Sequence, residues 1–206
     1  MKVPAFRCGR PGMSRPPTPV DLRVLAVAVV LAVPCAANAQ SIAEKAAACG
    51  ACHGDNGIPA DTTWPVISGQ HQGYLYLQLR DFKSGARKSD VMGPVTQDLS
   101  RDDMLAIALY FSQQSWPDLR QPRAASATAA RAAQTNGSVG CTGCHQDGYK
   151  GEGTQPRLAG QSGDYLARTM LDFRSRARAN NPGMTDLMTA TSEDDLAAMA
   201  AYLAGL

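Results

Sequence analysis

The chain has 206 residues, 44% apolar, 18% charged and 6% aromatic, with 20 Lys and Arg against 18 Asp and Glu. That length fits one or two modest domains. Its longest apolar run, residues 24–33, falls well short of the roughly 20 residues a spanning helix needs, which excludes a multi-span membrane protein.

Residues 1–23 carry Lys2, Arg7, Arg10, Arg15 and Arg23 against one acid, Asp21. The apolar run follows, and then Pro34-Cys35-Ala36-Ala37-Asn38-Ala39-Gln40. A basic region, a short apolar core and an Ala-x-Ala end together predict a secretory signal peptide over residues 1–39, cleaved after Ala39. Met13 is an alternative start, and the lack of an Arg-Arg pair favours the general secretory route. Pro34 makes Cys35 a poor lipid-attachment site. The leader holds 5 of the 20 basic residues and 1 of the 18 acidic ones, so the exported 167 residues carry a formal −2. They offer no basic stripe for nucleic acid and no spanning helix, and the expected compartment is the periplasm.

The exported part repeats itself. Cys49-Gly50-Ala51-Cys52-His53 and Cys141-Thr142-Gly143-Cys144-His145 lie 92 residues apart. Pro65-Val66-Ile67-Ser68-Gly69-Gln70 matches Pro156-Arg157-Leu158-Ala159-Gly160-Gln161, Tyr74-Leu75 matches Tyr165-Leu166, and Asp81-Phe82-Lys83 matches Asp172-Phe173-Arg174. These pairs sit at an offset of 91, which returns to 92 for Met92 and Met184, Ser100 and Ser192, and Tyr110 and Tyr202. The expected organisation is a first domain over residues 40–114, a linker over 115–123 interrupted by Pro117 and Pro122, and a second domain over 124–206.

Each copy reads as helical, so the expected class is all-α. Ala-rich segments, residues 42–48 and 124–133, lead into the cysteine motifs. Residues 74–83 and 165–174 space Leu75, Leu79 and Phe82, and Leu166, Met170 and Phe173, at three and four. Ser100-Arg101-Asp102-Asp103 and Ser192-Glu193-Asp194-Asp195 read as capping boxes. The buried stripes expected after them are Met104, Leu105, Ala108 and Leu109, and Leu196, Met199, Ala200 and Leu203. The chain between each cysteine motif and the middle helix reads as loop. A domain this small has little apolar surface to bury and usually needs a staple.

Cys8 and Cys35 leave with the leader, and the remaining four cysteines all stand in C-x-x-C-H motifs. This is the pattern of covalent haem attachment. Two thiols three positions apart on a helical turn each reach a vinyl group, and the adjacent histidine lies under the iron. A thioredoxin-type disulfide expects a strand before the motif, a four-cysteine zinc site would draw on both copies, and a plain disulfide framework needs no histidine after each pair. The cofactor-binding residues are therefore Cys49, Cys52, His53, Cys141, Cys144 and His145, with His53 and His145 as metal ligands. A thioether is the usual sixth ligand of electron-transfer cytochromes. Met92 is the one methionine between His53 and Ser100, whereas Met184 and Met188 both qualify in the second copy. The repeat favours Met184, because His53 to Met92 and His145 to Met184 both span 39 residues. Met104, Met170 and Met199 read as core. His71 matches Ser162 and reads as a rim residue, an alternative ligand only if Met92 is not one. Tyr74 and Tyr165, Gln70 and Gln161, and Arg87 and Arg178 also recur. The tyrosine rings read as packing, with hydroxyls free to reach a propionate, and the arginines as a solvated face or a propionate partner.

With C-x-x-C-H, P-x-[IL]-x-G-Q, Y-L then D-F-[KR], the methionine and S-x-D-D all present twice, the exported chain resembles the dihaem cytochromes c of the c4 type over nearly its whole length. The resemblance implies two tandem class I cytochrome c domains, each a few short helices around a covalent haem, with haem edges and propionates near the domain interface. It implies two haem c groups, both His/Met-ligated, and carbonyls of Pro65 and Pro156 that accept from the proximal histidines. The function implied is electron transfer between respiratory-chain components, with a quinol-oxidising complex as donor and a terminal oxidase or periplasmic reductase as acceptor. Peripheral association with the membrane is compatible with that role. The alternatives are the dihaem subunit of a dehydrogenase, such as a sulfide-oxidising flavocytochrome, or a small dihaem enzyme such as thiosulfate dehydrogenase. The last needs an open or unusual iron site, and no cysteine outside the two motifs survives to supply a thiolate.

Overall fold

The computed structural model describes residues 41–206. The expected signal peptide, its cleavage point after Ala39, Cys8 and Cys35 lie outside the described residues. Among the described residues there are nine α-helices: α1 Ile42–His53, α2 Gln72–Ser84, α3 Met92–Thr96, α4 Arg101–Ser112, α5 Ser126–Val139, α6 Cys141–His145, α7 Gly163–Arg174, α8 Pro182–Ala190 and α9 Glu193–Ala204. Among the described residues the only β feature is an isolated bridge between Glu152 and Gln155, so the class is all-α. None of these helices is long and apolar enough to cross a membrane.

Local chemistry sets the helix ends. Ser41 and Glu44 form a reciprocal capping box on α1, and Ser100 and Asp103 form one on α4. The box expected on α9 is only half made. Ser192 accepts from the amide of Asp195, but the Asp195 carboxylate turns to the hydroxyl of Ser192 and to Nε of Arg131 at 2.7 Å. The two cysteine motifs also differ. Helix α1 runs through the first, whereas Gly140, in the left-handed region at φ 77°, breaks the second away from α5 as the separate turn α6. Helices α3 and α8, which carry Met92 and Met184, stand where no helix was expected. Asn181 as cap and Pro182 at the first position start α8, a placement suited to proline because its missing N–H would have no helical partner.

Each half has its own core. Helix α4 packs on α1 and α2 around Ala46, Leu75, Ile107, Ala108 and Phe111. Helix α9 packs on α5 and α7 around Leu166, Phe173, Leu196, Met199 and Leu203. The α9 stripe, Leu196, Met199, Ala200 and Leu203, is buried as expected. The α4 stripe is Met104, Ile107, Ala108 and Phe111, while Leu109 is 42% exposed. The reason is that Ile107 and Phe111 face α1 and α2, and their four-residue spacing turns Leu109 outward.

The segment 115–123 is not a free linker. Its Ser115 carbonyl accepts from Ser68, and Gln121 bonds Gln161, Gly163 and Ala204. Gly69, at φ 63°, allows this packing, because a Cβ there would stand 2.7 Å from the backbone nitrogen of Trp116. Core truncation away from any cavity tests the packing of the second half. Leu196→Ala, at a side chain 2% exposed, is expected to lower unfolding stability by about 2–5 kcal/mol in chemical denaturation.

Candidate haem-binding site

The C-terminal ends of α1 and α6 place His53 and His145, each buried and each followed by a tight 3₁₀ turn. Nδ1 of His53 lies 3.1 Å from the carbonyl of Pro65, and Nδ1 of His145 lies 2.9 Å from that of Pro156. A carbonyl can only accept, so each Nδ1 carries the proton and each Nε2 keeps its lone pair. Burial lowers both imidazole pKa values, against a smaller opposing effect of the prolyl carbonyls, so both rings are neutral at pH 7. That tautomer is the one ligation through Nε2 requires.

A cavity of about 470 Å³ runs across both halves and is lined by Cys49, His53, Met92, His145 and Met184 among others. It lies within the 300–1,000 Å³ range of cofactor sites. A smaller one of about 170 Å³ lies against Cys141, Cys144, His145, Met184 and Met188. Burial raises the thiols of Cys49 and Cys141, which are therefore protonated at neutral pH. Cys52 and Cys144 are exposed on the same helical turns. The described residues contain no cluster of three or more His, Cys, Asp or Glu able to hold a bare metal ion.

The two methionines are held alike. The amide of Met92 donates to Ser89 Oγ and that of Met184 to Asn181 Oδ1, each at 3.0 Å. Ser89 and Asn181 are themselves 92 residues apart, so this acceptor for the methionine amide belongs to the repeat, although only Asn181 is a helix cap. Met188, one turn beyond Met184, is buried in the α7–α9 core and lines only the smaller cavity. Its counterpart at the same offset is Thr96, fully buried, whose hydroxyl bonds the carbonyls of Met92 and Gly93. Met104, Met170 and Met199 are core residues, as expected.

The recurrent polar pairs meet across the boundary between halves. Arg87 donates to Tyr165 at 3.2 Å and Arg178 to Tyr74 at 3.5 Å, a crossed pair. Both guanidiniums also bond one acceptor, Gln78 Oε1, at 2.9 and 2.8 Å. They lie over the rings of Phe82 and Phe173. Neither has a carboxylate within ion-pairing distance among the described residues, and Arg178 is only 7% exposed. Two such cations on one shared acceptor repel each other. The pocket therefore favours anions. Burial pushes the Tyr165 phenol up, but Arg87 and Arg178 outweigh it and bring the group down to about 7, whereas for Tyr74 burial prevails and the value rises. The solvated face that is the base expectation for these arginines is not what the fold provides, because both guanidiniums are bonded to Gln78 and the tyrosines between the halves. A cofactor with carboxylates fits this pocket.

Sequence reasoning assigned no role to Gln70 and Gln161, each 3% exposed. Gln161 Oε1 accepts from the amide of Val66 at 2.8 Å, and its Nε2 donates to the Val66 carbonyl at 2.9 Å. Gln70 holds Arg157 in the same way, at 2.9 and 3.0 Å. The clamp is reciprocal, and its signal was the doubled P-x-[IL]-x-G-Q. His71 does not line the cavity. Its Nε2 donates to the carbonyl of Lys150 at 2.8 Å, a rim contact across the boundary.

Asn181→Ala, which removes the side-chain cap of α8, is expected to cost about 1 kcal/mol in denaturant unfolding. Ser89→Ala, which removes one hydrogen bond to the Met92 amide, is expected to cost about 0.5–1.5 kcal/mol.

Comparison with known proteins gives the family. Residues 126–206 match the family model for cytochrome c. The chain is 35% identical to cytochrome c4 of Azotobacter vinelandii over 79% of its own length and 86% of that protein. It is 34% identical to a thiosulfate dehydrogenase electron acceptor of Stutzerimonas stutzeri, over 78% and 80%. The crystal structure of reduced recombinant cytochrome c4 from Pseudomonas stutzeri superposes with a TM-score of 0.71 at 33% identity, covering 79% of this chain and 95% of that one. Each half is thus a class I cytochrome c fold, the family implies covalent haem c, and the chain belongs to the cytochrome c4 family of electron-transferring c-type cytochromes.

Proposed function

We propose that the chain is a periplasmic dihaem electron carrier, built of cytochrome c domains over residues 40–114 and 124–206, with one haem c in each. The observation that carries this is the doubled constellation: a C-x-x-C pair, a neutral histidine with Nδ1 fixed on a prolyl carbonyl, and a methionine whose amide donates to a side-chain oxygen three residues earlier, in each half. Cys49 and Cys52, and Cys141 and Cys144, would hold the haems through thioethers. His53 with Met92, and His145 with Met184, would fill the axial positions. When bound, each haem supplies a one-electron couple between ferrous and ferric iron.

The chain's own residues do the rest. Pro65 and Pro156 keep each imidazole in the tautomer that presents Nε2. Arg87 and Arg178 supply the positive charge that propionates require, and they sit between the halves. Phe111 and Leu75 in the first half, and Phe173 and Leu166 in the second, wall the cavity against water. Met184 rather than Met188 takes the ligand position, because it shares its amide anchor and its register with Met92.

The physiological donor proposed is a quinol-oxidising complex, and the acceptor a terminal oxidase or another periplasmic reductase. A second reading rests on the relatives described as thiosulfate dehydrogenase electron acceptors. In that reading the donor is a thiosulfate-oxidising enzyme. Stopped-flow reduction by each purified donor separates the two, since the physiological one should reduce the carrier much faster than the other.

Ligation is tested on the purified holoprotein. Met92→Ala and Met184→Ala are each expected to remove half of the methionine–iron charge-transfer absorbance, and Met188→Ala to retain it. Loss of that absorbance in Met188→Ala but not in Met184→Ala contradicts the assignment. The reduced native protein is expected not to bind carbon monoxide stoichiometrically, because both axial positions are filled by protein.

A further inference from the structure

The Pro65–Val66 peptide group has both its ends engaged. Its carbonyl accepts from Nδ1 of His53, in its own half, at 3.1 Å. Its N–H donates to Gln161 Oε1, from the other half, at 2.8 Å. The Pro156–Arg157 peptide repeats the arrangement, with its carbonyl taking His145 Nδ1 at 2.9 Å and its N–H giving to Gln70 Oε1 at 2.9 Å. Since Val66 and Arg157 can only donate through nitrogen, the amide oxygen and not the amide nitrogen of each glutamine faces the peptide N–H. In each half, one rigid peptide plane therefore joins the histidine to a glutamine of its neighbour.

Hydrogen bonds in a chain polarise one another. A peptide whose N–H is donated to a good acceptor has a more negative carbonyl, and a more negative carbonyl draws the Nδ1 proton more strongly. The imidazole then becomes a more basic ligand through Nε2. Burial makes this coupling effective, since both glutamines are 3% exposed and no water competes for their bonds. Each Oε1 also accepts from the amide of the next residue, Ser162 or His71, which fixes the side chain on the start of its own half's middle helix.

Resting on the reading of His53 and His145 as iron ligands, we propose that Gln161 and Gln70 are positioning residues acting in trans, each setting the ligand strength of the histidine in the half to which it does not belong. A basic proximal ligand stabilises ferric over ferrous iron. Weakening the glutamine bond should thus raise the reduction potential of the opposite haem, and strengthening it should lower that potential.

The test is spectroelectrochemistry of the dihaem holoprotein, its two waves assigned to halves by Met92→Ala and Met184→Ala, each of which moves one wave. Gln161→Leu is expected to shift the first-half wave upward and leave the second-half wave in place, and Gln70→Leu to do the converse. Gln161→Glu keeps an acceptor for the Val66 N–H and makes the bond charge-assisted. It loses the donor to the Val66 carbonyl, and it is expected to shift the first-half wave downward together with a downfield move of the His53 Nδ1 proton. That pair of changes carries the test should the leucine variants fail to fold, and a lowered wave without the proton shift overturns the proposal. In proton NMR of the reduced protein, the Nδ1 proton of His53 should move in Gln161→Leu while that of His145 does not. A shift confined to the half that carries the substitution, an equal shift of both waves, or no shift overturns the proposal. If the native protein gives no pair of waves that the methionine variants separate, the dihaem reading itself has failed, a result distinct from two waves that do not cross over.

Discussion

The peptide groups that follow Pro65 and Pro156 are the constraint on which the rest of the structure depends. Each fixes a histidine tautomer on one side and receives a glutamine from the other half on the other. Proline suits the position because its restricted φ holds the loop in one conformation, and its own lack of an N–H leaves the carbonyl as the group on offer. Two functions that could have been separate, orienting a ligand and joining two halves, are met by the same six atoms. That is why the halves are not two beads on a string. The segment between them packs on both, and the side chains of Gln121 and Ser68 help to tie it down.

The small size of each half explains the second constraint. A few helices bury only a thin apolar core, so the cavity between α-helices and loops is large for the chain and is lined by residues proposed to hold a haem. The electrostatics follow the same logic. Two guanidiniums share Gln78 in a buried setting without a carboxylate, an arrangement that disfavours the protein alone and favours it with anionic groups bound. Stability that the polypeptide lacks is left to the cofactor.

Much of this was legible in the residues. The repeat, the middle and last helices, the α9 stripe and the core methionines follow from spacing and periodicity, because a helix face is a local property of sequence. The helices under Met92 and Met184 were not foreseen. At five and nine residues they are too short to show a period, and the only local signals are the cap Asn181 on α8 and the hydroxyl of Ser89, three residues before Met92. The α4 stripe was misplaced at Leu109, since Leu105 and Leu109 are spaced as well as Ile107 and Phe111, and only the neighbouring helices choose between the two sets. The glutamine clamp and the crossed arginines lay beyond reach for a different reason. Their partners are backbone groups and phenols some 80 to 100 residues away, and recurrence alone marks such residues without saying what they touch.

The central claim is that each polypeptide carries two separately reducible irons whose coordination is completed by its own side chains. Coulometric titration of the purified holoprotein against a known protein concentration tests it most directly. The account predicts two electrons taken up per chain. One electron per chain, or uptake by a chain that lacks covalently attached haem in either C-x-x-C-H motif, would contradict it.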